Sequence, residues 1–347
     1  MIDLTNIEEI KKLDPQGAYG STFMLPEQAE AAWKEVEALN ITQDFSGINK
    51  IVCCGMGASM YGALVFKSLL GDKMPYPLEI VSDYHLPLYV DSNTLVILTS
   101  ASGSTEETLS CAAEGLDKGA KMIALTRGGK LKEWADQNNV PGYYYDGKLN
   151  PSNVPRLGGG YSIVGLLALL QKIGIVKFDV EQIGGALIKL KEESDRLKQK
   201  AMSEAAGFQN KLPIVIGAEH LTANALIMRN QFNETSKTFS AFYIVPDLNH
   251  HLMEGLAFPK NSNLVFIMIN SSNYSEKIKK RMQLTEDVIK QNGHEIYRYE
   301  TSGANIYEDF LEYLAFGSYL TLFLSLLNEQ NPAINPWVDY FKEKLAK

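Results

Sequence analysis

Cysteine is scarce in this chain: three in 347 residues, with Cys53 and Cys54 adjacent inside an apolar run and Cys111 far away. That distribution excludes a disulfide framework and zinc-ligand spacing, and it suits a cytoplasmic protein. Positive charge is also short, 33 Lys and Arg against 41 Asp and Glu for a net charge of −8. Neither nucleic acid nor a membrane is therefore an expected partner, since nucleic acid and anionic lipid both call for a basic surface. The first residues lack the basic start and apolar core of a signal peptide. No uninterrupted apolar run approaches the roughly 18 residues of a membrane helix. What remains is 45% hydrophobic and 10% aromatic, enough to bury a large core and, at this length, to build two domains.

Hydropathy patterning divides the chain. Residues 1–45 form a helical lead-in, with one amphipathic helix expected over 26–39, where Ala29, Trp33, Val36 and Leu39 recur at helical spacing. Short aliphatic runs at 50–54, 78–81, 95–99 and 122–126 alternate with helical stretches. This is the pattern of a parallel sheet covered on both faces. A charged helix over 180–206 joins this first domain, 46–178, to a second, the link being set at 179–206. The second domain, 207–330, has strand runs at 212–216, 239–243, 264–268 and 295–299, and a tail follows over 331–347. The halves repeat each other: Gly55 stands eight residues before Ala63, and Gly217 eight before Ala225. Likewise Leu95-Val-Ile-Leu leads to Ser102, Ser104 and Glu106, while Leu264-Val-Phe-Ile leads to Ser271, Ser272 and Glu276. The expected fold is a duplicated α/β unit.

Two turns in the first half suit an anion. Gly55-Met-Gly-Ala-Ser59 follows a strand and opens a helix, where free N–H groups and the helix dipole favour negative charge. The third glycine of a dinucleotide fingerprint is missing, because Met60 stands in its place. A purely structural tight turn fits the same residues. Ser100-Ala-Ser-Gly-Ser-Thr105 is more specific, since it gathers hydroxyls around one glycine directly after a buried strand. Helix capping by Ser104 or Thr105 accounts for one of those hydroxyls and leaves the rest unexplained.

Three further segments carry ionisable groups. Glu234, in Asn233-Glu-Thr-Ser-Lys237, ends a helical run and reads either as a held carboxylate base or as a solvated surface residue. Asp247-Leu-Asn-His-His-Leu-Met-Glu-Gly255 holds two adjacent histidines, suited to proton transfer near neutrality, and no nearby third ligand makes a metal site of them. Arg156 lies in the glycine-rich loop Val154-Pro-Arg-Leu-Gly-Gly-Gly-Tyr-Ser162 before an apolar helix at 163–170 and reads as an anion-stabilising cation or a surface-paired one.

The two turns together resemble the SIS (sugar isomerase) domain, which implies a fold of two tandem SIS domains, each a mostly parallel sheet flanked by helices on both faces. Over nearly the whole chain the sequence is similar to one SIS branch, the bifunctional phosphoglucose/phosphomannose isomerases. The similarity is carried by Leu13-Asp-Pro-Gln-Gly17, Leu25-Pro-Glu-Gln28, Pro155-Arg156 with Gly160-Tyr-Ser162, Asn233-Glu234 with Lys237, Pro246-Asp-Leu-Asn-His250 with Gly255, and Asn331-Pro332 with Val338 and Phe341-Lys342. The resemblance implies aldose–ketose isomerisation of a phosphorylated hexose, interconverting glucose 6-phosphate or mannose 6-phosphate with fructose 6-phosphate, without metal or organic cofactor. It implies that Glu234 transfers the proton, that His250 and Lys342 assist ring opening, and that Arg156 stabilises the enediolate. Gly57, Ser59, Ser100, Ser102 and Thr105 would hold the phosphate. A homodimer is implied as well, with the histidine contributed across its interface.

The sequence departs from that branch at Ala58-Ser-Met-Tyr61, where the family has Gly-Ser-Ala-Ile, so bulkier side chains are expected beside the phosphate. Ala101 and Ser104 are milder changes that leave the hydroxyls at 100, 102 and 105. His251 stands where an asparagine is usual and competes with His250, as Lys344 does with Lys342. An amino-sugar phosphate isomerase or deglycase shares the tandem plan, and a noncatalytic phosphosugar sensor shares the serine turn.

Overall fold

The computed structural model describes residues 2–260 and 262–345. Three helices lead in: α1 (Ile7–Leu13), α2 (Ala18–Phe23) and α3 (Leu25–Glu37). The first sheet and its helices follow as β1 (Lys50–Cys54), α4 (Tyr61–Leu70), β2 (Leu78–Val81), β3 (Thr94–Ser100), α5 (Glu106–Asp117), β4 (Lys121–Thr126), α6 (Gly129–Gln137), β5 (Gly142–Tyr144) and α7 (Gly165–Lys172). The long helix α8 (Val180–Glu204) leads to β6 (Leu212–Ala218), α9 (Thr222–Glu234), β7 (Ala241–Val245), β8 (Leu264–Asn270), α10 (Glu276–Gln291), β9 (Glu295–Glu300), α11 (Ile306–Leu327) and α12 (Pro336–Leu345). Strand order is β2-β1-β3-β4-β5 in the first sheet and β7-β6-β8-β9 in the second. Every strand pairing in both is parallel. The fold is α/β, as expected.

Alternation along the first sheet explains why its strands read as continuous apolar runs. Ile51, Cys53, Leu95, Ile97, Ile123 and Leu125 face the cluster that holds residues of α3, α4 and α7. Val52, Cys54, Val96, Leu98, Met122 and Ala124 face Cys111 and Ala112 of α5 and Leu131 and Ala135 of α6. Both faces are covered, so each residue of a strand has an apolar neighbour. The three cysteines are free thiols and buried.

The structure departs from the expected elements in instructive places. The second sheet's edge strand β7 lies two residues beyond the expected 239–243 because Phe239 is exposed and only Ala241–Val245 pairs with β6. The short β5 and the long α11 had not been singled out. Helix α11 has a mean hydropathy of 1.6 in its most apolar 18-residue stretch, enough in length and composition to cross a membrane, but 94% of that stretch is buried inside the protein. It is a core helix, buried on nearly every side beyond its first turn, and so lacks the amphipathic period that betrays a surface helix.

The lead-in is more than an appendage. Gln28, fully buried on α3, donates through Nε2 to the carbonyls of Ser21, Leu149 and Leu157 at 3.2, 2.9 and 3.0 Å, and its Oε1 accepts from Gly160 N at 3.2 Å. A Cβ on Gly160 would lie 2.4 Å from Gln28 Cβ, so this glycine lets the Arg156 loop lie against α3.

Candidate active site

The order of the first sheet reverses between β1 and β3, and the carboxyl ends of those strands open the crevice where open α/β sheets bind ligands. Both sequence-identified turns meet there. Ala101 N donates to Ser59 Oγ at 3.2 Å, tying the turns together. Ser100 and Thr105 share a hydrogen bond between hydroxyls at 2.8 Å, Gly103 N donates to Ser100 Oγ at 3.0 Å, and Ser104 N donates to Ser102 Oγ at 3.2 Å. Thr105 occupies the N-cap position of α5, yet its side chain makes no cap bond. The hydroxyls are thus held within the turns, by each other or by backbone amides, and no side chain caps the helix start, an arrangement suited to an anion. Gly57 opens a single 3-10 turn, Gly57–Met60, with φ +55.

Met60 and Tyr61 are both buried, Met60 with its sulfur accepting from Thr99 Oγ1 at 3.7 Å. Of the bulkier residues expected beside the phosphate, only Ala58 lines the crevice, together with Ser59, Ser100, Tyr145, Pro155 and Ser162 among others.

The turn's shape depends on Gly103. Its φ is +67, and an added Cβ would stand 1.7 Å from the carbonyl oxygen of Gly128. Gly103→Ala is expected to raise the KM for a phosphorylated substrate about tenfold or more with a smaller change in kcat, since left-handed backbone alone costs an L-residue roughly 1–2 kcal/mol. Steady-state kinetics checks this.

The repeated turn in the second half is filled from within. Ser271 Oγ and Asn273 Nδ2 donate to Asp309 Oδ2 at 2.6 and 2.9 Å, and His220 Nε2 lies 3.0 Å from the same oxygen. At the start of α10, Ser275 N donates to Glu219 Oε2 at 2.9 Å, and its hydroxyl to Oε1 at 2.5 Å. Two carboxylates of the chain itself engage the groups that in the first copy face the crevice.

Pro155 brings the next residue, Arg156, to the crevice's edge. The arginine is buried and internally paired, with its side chain 4% exposed. Nε donates to Thr235 Oγ1 at 3.2 Å, and Nη2 donates to the carbonyls of Pro332 at 2.5 Å and Ala333 at 3.2 Å. Nη1 lies 3.8 Å from Glu234 Oε2. The Asn335 amide, oriented by its partners, accepts from Nη1 at 2.9 Å. Burial pulls the guanidinium below its usual range, and the Glu234 carboxylate opposes that. Glu234 keeps its side chain 35% exposed, open to the groove between α9 and β7. Burial, and then Glu234, hold the neighbouring Tyr61 phenol above its ordinary value.

Ser59 and Ser100 therefore line one crevice, Thr105 is bonded to Ser100, Ser102 lies in the same turn, and Arg156 meets Glu234 beside them. Among the described residues no hydrogen bond or ion pair joins His250 or Lys342 to them. His250 is exposed, without a hydrogen bond or ion pair from its side chain among the described residues, while His251 faces Asp247 at 3.3 Å. Lys342 lies on α12, which has no buried residue, and Lys344 sits over the Tyr340 ring at 5.6 Å. Gln28, Thr235 and Asn335 support Arg156 or its loop and were missed in the sequence. Their partners are distant in the chain: Gln28 and Thr235 stand within motif segments and Asn335 in none, and no local spacing links them to those partners. Among the described residues no group of three or more His, Cys, Asp or Glu is placed to hold a metal ion.

Fold and crevice define an α/β protein of the sugar-isomerase type, with two parallel sheets and a hydroxyl-lined crevice beside an arginine–carboxylate pair. Residues 197–345 match the family described as the bacterial phospho-glucose isomerase C-terminal SIS domain. The bifunctional phosphoglucose/phosphomannose isomerase of Caldicellulosiruptor bescii is 32% identical over 340 residues, covering 95% of this chain and 99% of that protein. The enzyme of the same name from Aquifex aeolicus is 28% identical, covering 92% and 97%. A hypothetical protein from Thermus thermophilus has a similar structure, with a TM-score of 0.72 over 98% of this chain and 94% of that one at 17% identity. This chain belongs to the bifunctional phosphoglucose/phosphomannose isomerase family.

Proposed function

We propose that the chain is an aldose–ketose isomerase interconverting fructose 6-phosphate with glucose 6-phosphate, mannose 6-phosphate or both. The observation that carries this reading is the pairing of Glu234 with buried Arg156 at 3.8 Å, next to a serine turn shaped for an anion. The phosphate sits on the hydroxyls of Ser59, Ser100, Ser102 and Thr105 and on the amides of their turns, including that of Gly57. With that end fixed, C1 and C2 lie toward Glu234.

Isomerisation moves one proton between C1 and C2 and a second between O1 and O2 through the enediolate. The Glu234 carboxylate removes the first from one carbon and returns it to the other, and negative charge on the enediolate oxygens is met by the Arg156 guanidinium. The face on which C2 is reprotonated decides between the glucose and mannose epimers. Opening of the sugar ring requires a proton donor and acceptor, the roles of His250 and Lys342, with His251 and Lys344 beside them as substitutes.

Since His250 is exposed and makes no contact with Glu234 among the described residues, the reading includes a homodimer in which the partner copy supplies it. It places the enzyme in the cytoplasm. A coupled assay on fructose 6-phosphate, scoring glucose 6-phosphate and mannose 6-phosphate separately, is expected to detect at least one of them. Formation of neither overturns the reading.

A further inference from the structure

Glu234 is the last residue of α9, so its own carbonyl is among those a helix leaves without an amide partner. The shortest contact to that oxygen comes from Lys237, whose Nζ donates to it at 2.7 Å. Arg156 Nη2 approaches it at 3.5 Å, and the Asn335 amide at 3.2 Å. Lys237 reaches back three residues because its backbone turns left-handed, with φ +54. The residues between close the turn around it: Thr235 N and Ser236 N both donate to Gln231 O at 2.8 and 3.3 Å, and Thr238 N donates to Phe232 O at 2.9 Å. The carboxylate assigned to proton transfer therefore projects from a helix end whose final turn is pinned by a lysine side chain.

We infer that Lys237 is a positioning residue for this reaction, its ammonium group fixing the last turn of α9 and so the direction of the Glu234 carboxylate. The inference rests on the isomerase reading. A cation at the carboxyl end of a helix is favoured by the helix dipole, and a charge-assisted bond to the last carbonyl is stronger than one from a neutral amine. The charged groups facing Lys237 are Arg156, from the loop before α7, and Glu234, on α9; Tyr61 of α4 faces the same pair. Burial, and then the Arg156 cation, pull the lysine down to about 8, with the Glu234 carboxylate opposing.

The sign follows from that value. Below pH 8 Lys237 is protonated and the turn is held. As pH rises through 8 the ammonium is lost and the turn loosens, so kcat falls. An ordinary lysine, titrating near ~10.4, would leave kcat untouched in this range.

The kcat–pH profile of the full-length protein with fructose 6-phosphate is expected to show a basic limb near pH 8. Lys237→Arg, which keeps its charge, is expected to move that limb upward by about two units or more while retaining most of the activity at pH 7. Lys237→Met is expected to lose about tenfold in kcat at pH 7, with KM within about twofold, because the phosphate turn is elsewhere. A limb that stays near 8 in both variants, with melting curves showing both folded, overturns the inference, as does a loss confined to KM.

Carbon-13 NMR of the lysine side chains reads the titration itself, whether or not the protein turns over this sugar. A signal titrating near pH 8 that is missing from Lys237→Met is expected. Lysines that all titrate near their ordinary value overturn the inference. Failure of the wild-type protein to isomerise fructose 6-phosphate instead overturns the parent reading and leaves the NMR result to decide the lysine.

Discussion

Glu234→Gln is expected to lower kcat for fructose 6-phosphate by about 10²–10⁴-fold, the range over which a positioned base contributes to proton transfer. Glutamine keeps the shape and polarity of the side chain and loses only the ability to take a proton. KM should change little, because the serine turn follows a strand of the other sheet. Exchange of the C2 hydrogen with solvent should disappear in parallel, and full turnover with full exchange would dismiss Glu234 as the base. The same variant tests the proposed dimer. Mixed with His250→Ala, it forms heterodimers in which one site regains both groups if the histidine is supplied in trans. Random reassortment then restores about a quarter of the sites. No recovery above the two parents would place the histidine within its own chain or remove it from the reaction.

The contrast between the serine turn and the arginine–carboxylate pair explains what could be read in the amino-acid sequence. Buried parallel strands announce themselves as apolar runs bounded by small residues, so β1 and β2 lie at the residues expected and β3 and β4 extend only slightly further. The turn after β3 is equally local: strand, hydroxyls, glycine and helix start follow within a dozen residues. Elements without a contrast between faces were silent. Helix α11 is buried nearly all round, and β5 is three residues long at a sheet edge, where Gly142 lets the backbone approach Ala124 O. Fold position alone also leaves the two halves equivalent. The difference between them lies in Asp309 and Glu219, whose contacts with the second turn cross from other segments.

Tertiary partnership was the least legible property. Arg156 meets Thr235, 79 positions away, and Pro332, 176 positions away. Gln28 meets Leu149 and Leu157 at separations of 121 and 129. Taken alone, Arg156 had the surface ion pair as an equal alternative, and only packing removes it. Lys237 was visible as part of a motif, but the backbone turn that aims it at Glu234 O was not.

Arg156→Lys separates two uses of one side chain. The guanidinium spreads its donors in a planar fork: one edge holds Thr235 and the carbonyls of Pro332 and Ala333, while Nη1 faces Glu234 and Asn335. A lysine ammonium offers three donors from one point and cannot serve both edges. If it follows the carbonyls, the buried tether of the tail survives in part and the enediolate loses its cation. If it follows Glu234, the tail carbonyls are left unpaired. Either way kcat is expected to fall by about 10²–10³-fold. Stability in a urea melt is expected to drop by about 2–4 kcal/mol, chiefly through lost bonds to buried oxygens. Arg156→Met, without any donor, should match that kinetic loss and exceed the stability loss. Wild-type kcat in a folded Arg156→Lys would remove the arginine from the chemistry and leave it as a strut for the tail. An unchanged melt with a large kinetic loss would do the reverse, because the carbonyls of Pro332 and Ala333 would then have found other donors.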